Sequence, residues 1–329
     1  MSQLAEKIFI AGHTGMAGIA IERQLLRLGH PKSHILHAPV ADLDWADPAQ
    51  VERFLHATAP DQIYLPAPDF LQDRHCDAVQ ALLAKGALHN IITTAAKEGI
   101  RKLLLLAGSE VYPSSRLPPY AEEDLMGGPI GGSSTFDALA QISAMKFCQE
   151  LSVRSSGDSA LDYRCAVLGG YYGPGDDYSA QTQQLVPQIL NQLEHAKAHA
   201  LHYCNVALEE DTPLDLLYVD DMAEAAVYLM EMPRSVLAEQ QNLIHHHINI
   251  GFGKAIKAQR LVQSLANAVG YFGKIVYAET PPNSPAIPKS LDAHRLARLG
   301  WTPLMGIEQG TEIVSADYQI HRKNRTKSP

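Results

Sequence analysis

The stretch "KIFIAGHTGMAGIAIERQLLRLG", residues 7–29, constrains the fold more than any other. An apolar run with strand-forming residues leads without a linker into a segment with apolar residues at helical spacing, closed by Gly29. Between the two lie Gly12, Gly15 and Gly18, spaced G-x-x-G-x-x-G. A strand that turns sharply into a helix needs backbone without side chains. The same glycines let a pyrophosphate approach the helix N-terminus, where unpaired N–H groups and the helix dipole favour an anion. Gly12, Thr14, Gly15, Met16, Ala17 and Gly18 are therefore candidate dinucleotide contacts.

Strands are expected at 34–38, 62–67 (interrupted by Pro66), 101–108 and 161–170, alternating with helices at 48–58 and 78–99. A further helix carries "GGSSTFDALAQISAMKFC", capped by Ser133, Ser134 or Thr135. This alternation predicts an α/β fold, a Rossmann-type doubly wound parallel sheet. The dinucleotide-binding domain is expected over 1–170 with returns near 214–250. A smaller interleaved C-terminal substrate lobe takes 171–213 and 251–320, and 321–329 reads as a mobile basic tail.

A hydrophobic content of 46% is enough to bury such a core, and a net charge of −9 speaks against nucleic acid or an anionic membrane as partner. Four cysteines without a C-x-x-C pair suit neither a disulfide framework nor a zinc site. His245, His246 and His247 are adjacent and enter a strand, so they point to opposite faces and cannot share a metal. No metal is expected. With no signal-peptide pattern and no apolar run of about 18 residues, a cytoplasmic protein is expected.

"KIFIAGHTGMAG", "HNIITTAAKEGIRKLLLLAGSEVYP", "YYGPGDD", "LLYVDDMAEA", "HINIGFG" and "SLDAHRLARLGW" occur in the order found in one family. The chain resembles the extended short-chain dehydrogenase/reductases (the NAD-dependent epimerase/dehydratases), closest to their GDP-L-fucose synthase branch. The resemblance implies NAD or NADP as cofactor and a GDP-linked keto-deoxy sugar as substrate, epimerised and then reduced on a serine–tyrosine–lysine core. It also implies a homodimer through the helices at about 78–99 and 133–152.

Alignment on "MKFC" puts Asp137 at the family tyrosine and Gln141 at the lysine. No tyrosine in the chain is followed four residues later by lysine. Gly108 stands at the serine, Glu110 at the acid–base cysteine and Gln184 at the acid–base histidine. An aspartate starts near pKa 3.9, and keeping it protonated at neutral pH would cost roughly 4 kcal/mol, so Asp137 is a poor substitute for a tyrosine proton donor. Gln141 can hydrogen-bond a ribose but carries no charge. At the adenosine end, Thr14 and Ala38 stand where the family places arginines. Asp44 matches its adenine-side position and equally reads as a helix cap before Pro48. Cofactor binding is thus expected to be weakened.

Three functions follow. The chain is expected to be a binding or partner subunit that has lost the family chemistry, with two alternatives. It could be a repurposed enzyme in which Glu110 and Asp137 perform non-redox acid–base chemistry. Or it could still be an NAD(P)-dependent nucleotide-sugar epimerase or reductase. Tyr112, Tyr171 and Tyr172 read as aromatic walls of the cleft.

Overall fold

The computed structural model describes residues 6–38, 43–67, 78–113, 117–126, 135–155, 160–179, 182, 184–240, 247–277 and 287–325. The first half runs β1 (Ile8–Ile10), α1 (Met16–Arg27), β2 (Ile35–Leu36), α2 (Pro48–Thr58), β3 (Gln62–Pro66), α3 (Ala78–Lys97), β4 (Lys102–Gly108), α4 (Thr135–Arg154) and β5 (Asp162–Leu168). After it come β6 (Gly170–Tyr172), α5 (Leu185–Ala198), β7 (Tyr203–Val206), β8 (Pro213–Leu214), β9 (Leu216–Tyr218), α6 (Val219–Glu231) and α7 (Arg234–Gln240). The chain ends with β10 (His247–Ile250), β11 (Ile256–Lys257), α8 (Ala258–Val269), β12 (Lys274–Tyr277), α9 (His294–Arg298) and α10 (Ile307–Arg325).

Six strands form one parallel sheet in the order β10-β5-β4-β3-β1-β2. The chain leaves β1 toward β2 on one side and toward β3 on the other. That reversal opens a crevice beyond the carboxyl ends of β1 and β3, the usual ligand position in an open α/β sheet. Strand alternation builds the two layers. Phe9, Leu103 and Leu105 pack with α2, α3 and α4, whereas Ile8, Ile10, Leu104 and Leu106 pack with α1 and α6. Each fully buried leucine of β4 contributes roughly 1.5–3 kcal/mol of burial. A third core joins α5, α8 and α10 around Leu190, Leu265 and Val314.

Local chemistry sets the helix ends. Asp47 caps α2, its carboxylate accepting from Ala49 N at 2.9 Å with Pro48 next in line. The cap expected at Asp44 is therefore three residues later; Asp44 instead accepts from Ala46 N at 2.9 Å in the preceding turn. Gly29 follows α1 at φ +89°, where a side chain would be strained.

Several expectations change. Pro66 ends β3 in the interior of the sheet without breaking it. The tail is helical as far as Arg325, because Val314 and Tyr318 anchor α10 in the third core; residues 326–329 lie outside the described residues. Tyr112 and Tyr172 are core residues, 0% and 2% exposed, and not cleft walls. His245 and His246, with the caps Ser133 and Ser134, fall outside the described residues. Among the described residues no helix is long and apolar enough to cross a membrane.

Candidate functional site

The site lies along the crevice edge, at the turns after β1, β2 and β4. In the first turn Gly12 adopts φ +74°, and Gly15 N donates to Gly12 O at 3.0 Å. A Cβ on Gly18 would collide with Gly12 O and come within 2.9 Å of His13 Cα. Only glycine lets α1 start this close to β1. Gly15 is the N-cap of α1 and offers no side chain to close the helix end, so the terminus is capable of taking an anion. Thr14 is exposed at the rim, while Ala17 and Gly18 are buried under it. This arrangement fits the pyrophosphate of a dinucleotide.

At the second turn, strand alternation sends Ala38 onto the hydrophobic layer with Phe9. His37, one residue earlier, stacks on His13 of the glycine turn, with centroids 4.5 Å apart and planes 10° from parallel. Its Nε2 lies 3.1 Å from Glu22 Oε2 on α1. The pair was not legible from motif counting, because no spacing rule joins residues 13 and 37.

At the third turn Gly108, Glu110 and Gln141 form one hydrogen-bonded unit. Gln141, projecting from α4 and 0% exposed, accepts from Gly108 N at 2.7 Å and donates from Nε2 to Glu110 Oε1 at 2.6 Å. Glu110 sits on a short 3-10 turn, Ser109–Val111, that follows β4 directly. Its carboxylate lies over the Cα of Gly108, so a Cβ there would come within 2.6 Å of Glu110 Cδ. The volume a serine would need is filled by the glutamate. Gln141 is thus committed to Gly108 and Glu110 in this conformation. Asp137 lies one turn earlier on α4, and its side chain falls outside the described residues.

Lys289 completes this end. Its backbone N donates to Ser109 Oγ at 3.2 Å, its Nζ donates to Tyr112 O, and the ammonium lies 5.6 Å from the Tyr120 ring centroid. Burial lowers its pKa, and the charge of Glu110 opposes that shift. Separated from Ser109 by 180 residues, Lys289 carried no local signal beyond being the one Lys or Arg between Lys274 and Arg295. Behind it, Tyr112 donates to Asn249 Oδ1 at 2.6 Å and receives His247 Nε2 at 3.0 Å. Burial raises the pKa of Tyr112 well above the ordinary phenol value, so this tyrosine is a core hydrogen-bond donor. Gln184 starts α5 in the second lobe, its N–H bonded to Thr182 Oγ1 at 3.1 Å, and no hydrogen bond joins it to Glu110.

Comparison with known proteins agrees with this fold. Residues 8–251 match the NAD dependent epimerase/dehydratase family. The GDP-L-fucose synthase of Escherichia coli (strain K12) is 31% identical over 98% of this chain and 98% of its own length. A GDP-D-glycero-L-gluco-heptose synthase from Campylobacter jejuni, solved in the presence of NADPH, superposes with a TM-score of 0.83. It is 19% identical and covers 97% of this chain and 100% of its own. A GDP-L-fucose synthetase from Naegleria fowleri bound to NADP gives 0.80 at 18% identity, covering 98% and 95%.

Proposed function

This chain belongs to the NAD dependent epimerase/dehydratase family, and from that premise we propose that it is an NAD(P)-linked enzyme acting on a nucleotide-linked sugar, with Glu110 as its proton-transfer group. The observation that carries the reading is the Glu110–Gln141 hydrogen bond beside Lys289. It provides an oriented carboxylate and a cation at the end of β4.

A proton next to a sugar ketone can be taken by one carboxylate oxygen of Glu110. The C–H electron pair then moves into an enolate, whose oxygen a cation such as Lys289 stabilises. Water on the opposite face reprotonates the carbon and inverts it, Glu110 returns its proton to solvent, and no oxidant or reductant is consumed. Gln141 keeps the carboxylate aimed by holding one oxygen. The glycine turn holds the dinucleotide, which when bound supplies the hydride for any reduction. GDP-sugar names among the relatives support the nucleotide-linked substrate. As in the family, α3 and α4 would form a homodimer face, where Leu139 and Val153 of α4 are exposed.

A second reading, a ligand-binding or partner subunit without turnover, is favoured by Glu110 being held over Gly108. The two separate on a single assay with a GDP-linked keto-deoxy sugar and NADPH. The enzyme reading expects an epimerised product from the wild type and none from Glu110→Gln, with NADPH binding unchanged in calorimetry. Binding of both ligands with no product from the wild type would establish the second reading.

A further inference from the structure

The exposed end of α5 carries an inference independent of the crevice. His195 and His199 stand four residues apart at the end of this helix. Its buried stripe runs through Ile189, Leu193 and Ala196, which leaves both imidazoles exposed on one face. Their ring centroids lie 4.2 Å apart, with planes at 35°. Adjacent histidines on a strand diverge, whereas a pair at this helical spacing converges. We propose that His195 and His199 form a two-imidazole site for a divalent transition metal ion of the Zn2+, Ni2+ or Cu2+ class.

The tautomer supports the assignment. Nδ1 of His199 lies 2.9 Å from the carbonyl oxygen of His195. A carbonyl only accepts, so the ring proton sits on Nδ1 and Nε2 keeps its lone pair. A ligating histidine is oriented in the same way, its second nitrogen donating to a carbonyl or carboxylate. The reach is also suitable. Two metal–nitrogen bonds of about 2.0–2.1 Å put the ligating atoms roughly 3.3 Å apart, and rotation about χ2 brings rings this close into that range. The field favours a cation as well. α5 ends at Ala198 with His199 as its C-cap, so the negative end of the helix dipole faces the pair. Lys197, between the two histidines, donates to Val269 O at 2.6 Å, which holds its charge at the end of α8. Among the described residues no group of three or more His, Cys, Asp or Glu side chains gathers to hold an ion, so water fills the remaining coordination positions. Imidazole donors suit these ions, while Mg2+ and Ca2+ take oxygen ligands.

The test titrates ZnCl2 into the full chain at pH 7.5 by calorimetry and follows thermal unfolding with and without the ion. The wild-type Tm should rise with Zn2+ concentration, because an ion spanning one helical turn binds the folded chain, and MgCl2 should leave it unchanged. His195→Ala and His199→Ala should each weaken Zn2+ binding at least about tenfold, each compared with its own metal-free protein. His202→Ala, in the exposed stretch just beyond the helix, should keep the wild-type affinity. Loaded with Cu2+, the wild type should show two nitrogen ligands in its paramagnetic resonance spectrum and His199→Ala only one, a signature that a purely structural role for the stack would not produce. No Zn2+ binding by the wild type, or binding undiminished in both alanine variants, overturns the proposal. Equal weakening in His202→Ala would put the ion elsewhere and overturns it too.

Discussion

The turn after β1 and the turn after β4 stand one strand apart at the same edge of the sheet, and they respond to substitution in opposite ways. The first is made of backbone. Gly12 is required by its φ of +74° and Gly18 because the strand and helix approach too closely for a Cβ, so there is nothing another side chain could replace. The second is made of side chains, and side chains can be exchanged as a set. Gly108, Glu110 and Gln141 fill the volume and close their hydrogen bonds among themselves. The first turn is thus fixed by the chain path, and the second by groups that can be removed one at a time.

Replacing Gly18 by alanine tests the first turn and should have the largest effect. The new methyl meets Gly12 and His13 backbone, so we expect a loss of about 1–3 kcal/mol in urea denaturation together with loss of measurable dinucleotide binding. Unchanged binding in Gly18→Ala would break the contrast.

Gln141→Leu tests the second turn. It strands the Gly108 N–H in a buried position and frees Glu110, at a cost of about 1–3 kcal/mol by the same measurement. Stability within error of wild type would mean that the three residues are not one unit. A Gly108→Ser, Glu110→Ala cycle sharpens the point. Serine alone should destabilise by collision with the carboxylate, and truncating Glu110 should relieve it, giving a coupling of about 0.5–2 kcal/mol.

The smallest effect is expected beneath the second turn, at Asp215, which accepts from Ser290 Oγ at 2.8 Å and so holds the segment bearing Lys289. Burial raises its pKa above the ordinary 3.8. The folded chain therefore keeps this proton to higher pH than the unfolded one. Its contribution to stability is full below the unfolded pKa and declines as pH rises through the folded value. Urea midpoints from pH 3.5 upward should consequently fall less with pH in Asp215→Asn than in the wild type. Parallel profiles would remove Asp215 from that role.

Much of the fold was legible because periodicity and glycine placement act locally: β1, α1 and α2 follow from residues within one or two turns of each other. The site was legible only in outline. Gly108, Glu110 and Gln141 could each be singled out in the sequence, but their union depends on α4 delivering Gln141 to a strand end more than 30 residues away. The stack of His37 on His13 left no trace in the sequence, because it joins two turns 24 residues apart. Tyr112 was misread because a tyrosine hydroxyl can find its partner inside the core as readily as in a cleft, and Tyr172 because its ring packs edge-on to Tyr218 inside the third core.

The most direct measurement is deuterium wash-in. The protein is incubated in D2O with a GDP-linked keto-deoxy sugar, without reductant, and the recovered sugar is analysed by mass spectrometry. Deuterium should enter next to the ketone with the wild type and fall by at least about 100-fold with Glu110→Gln, in line with loss of a general base. Wash-in that persists undiminished in Glu110→Gln would contradict the role assigned to this carboxylate.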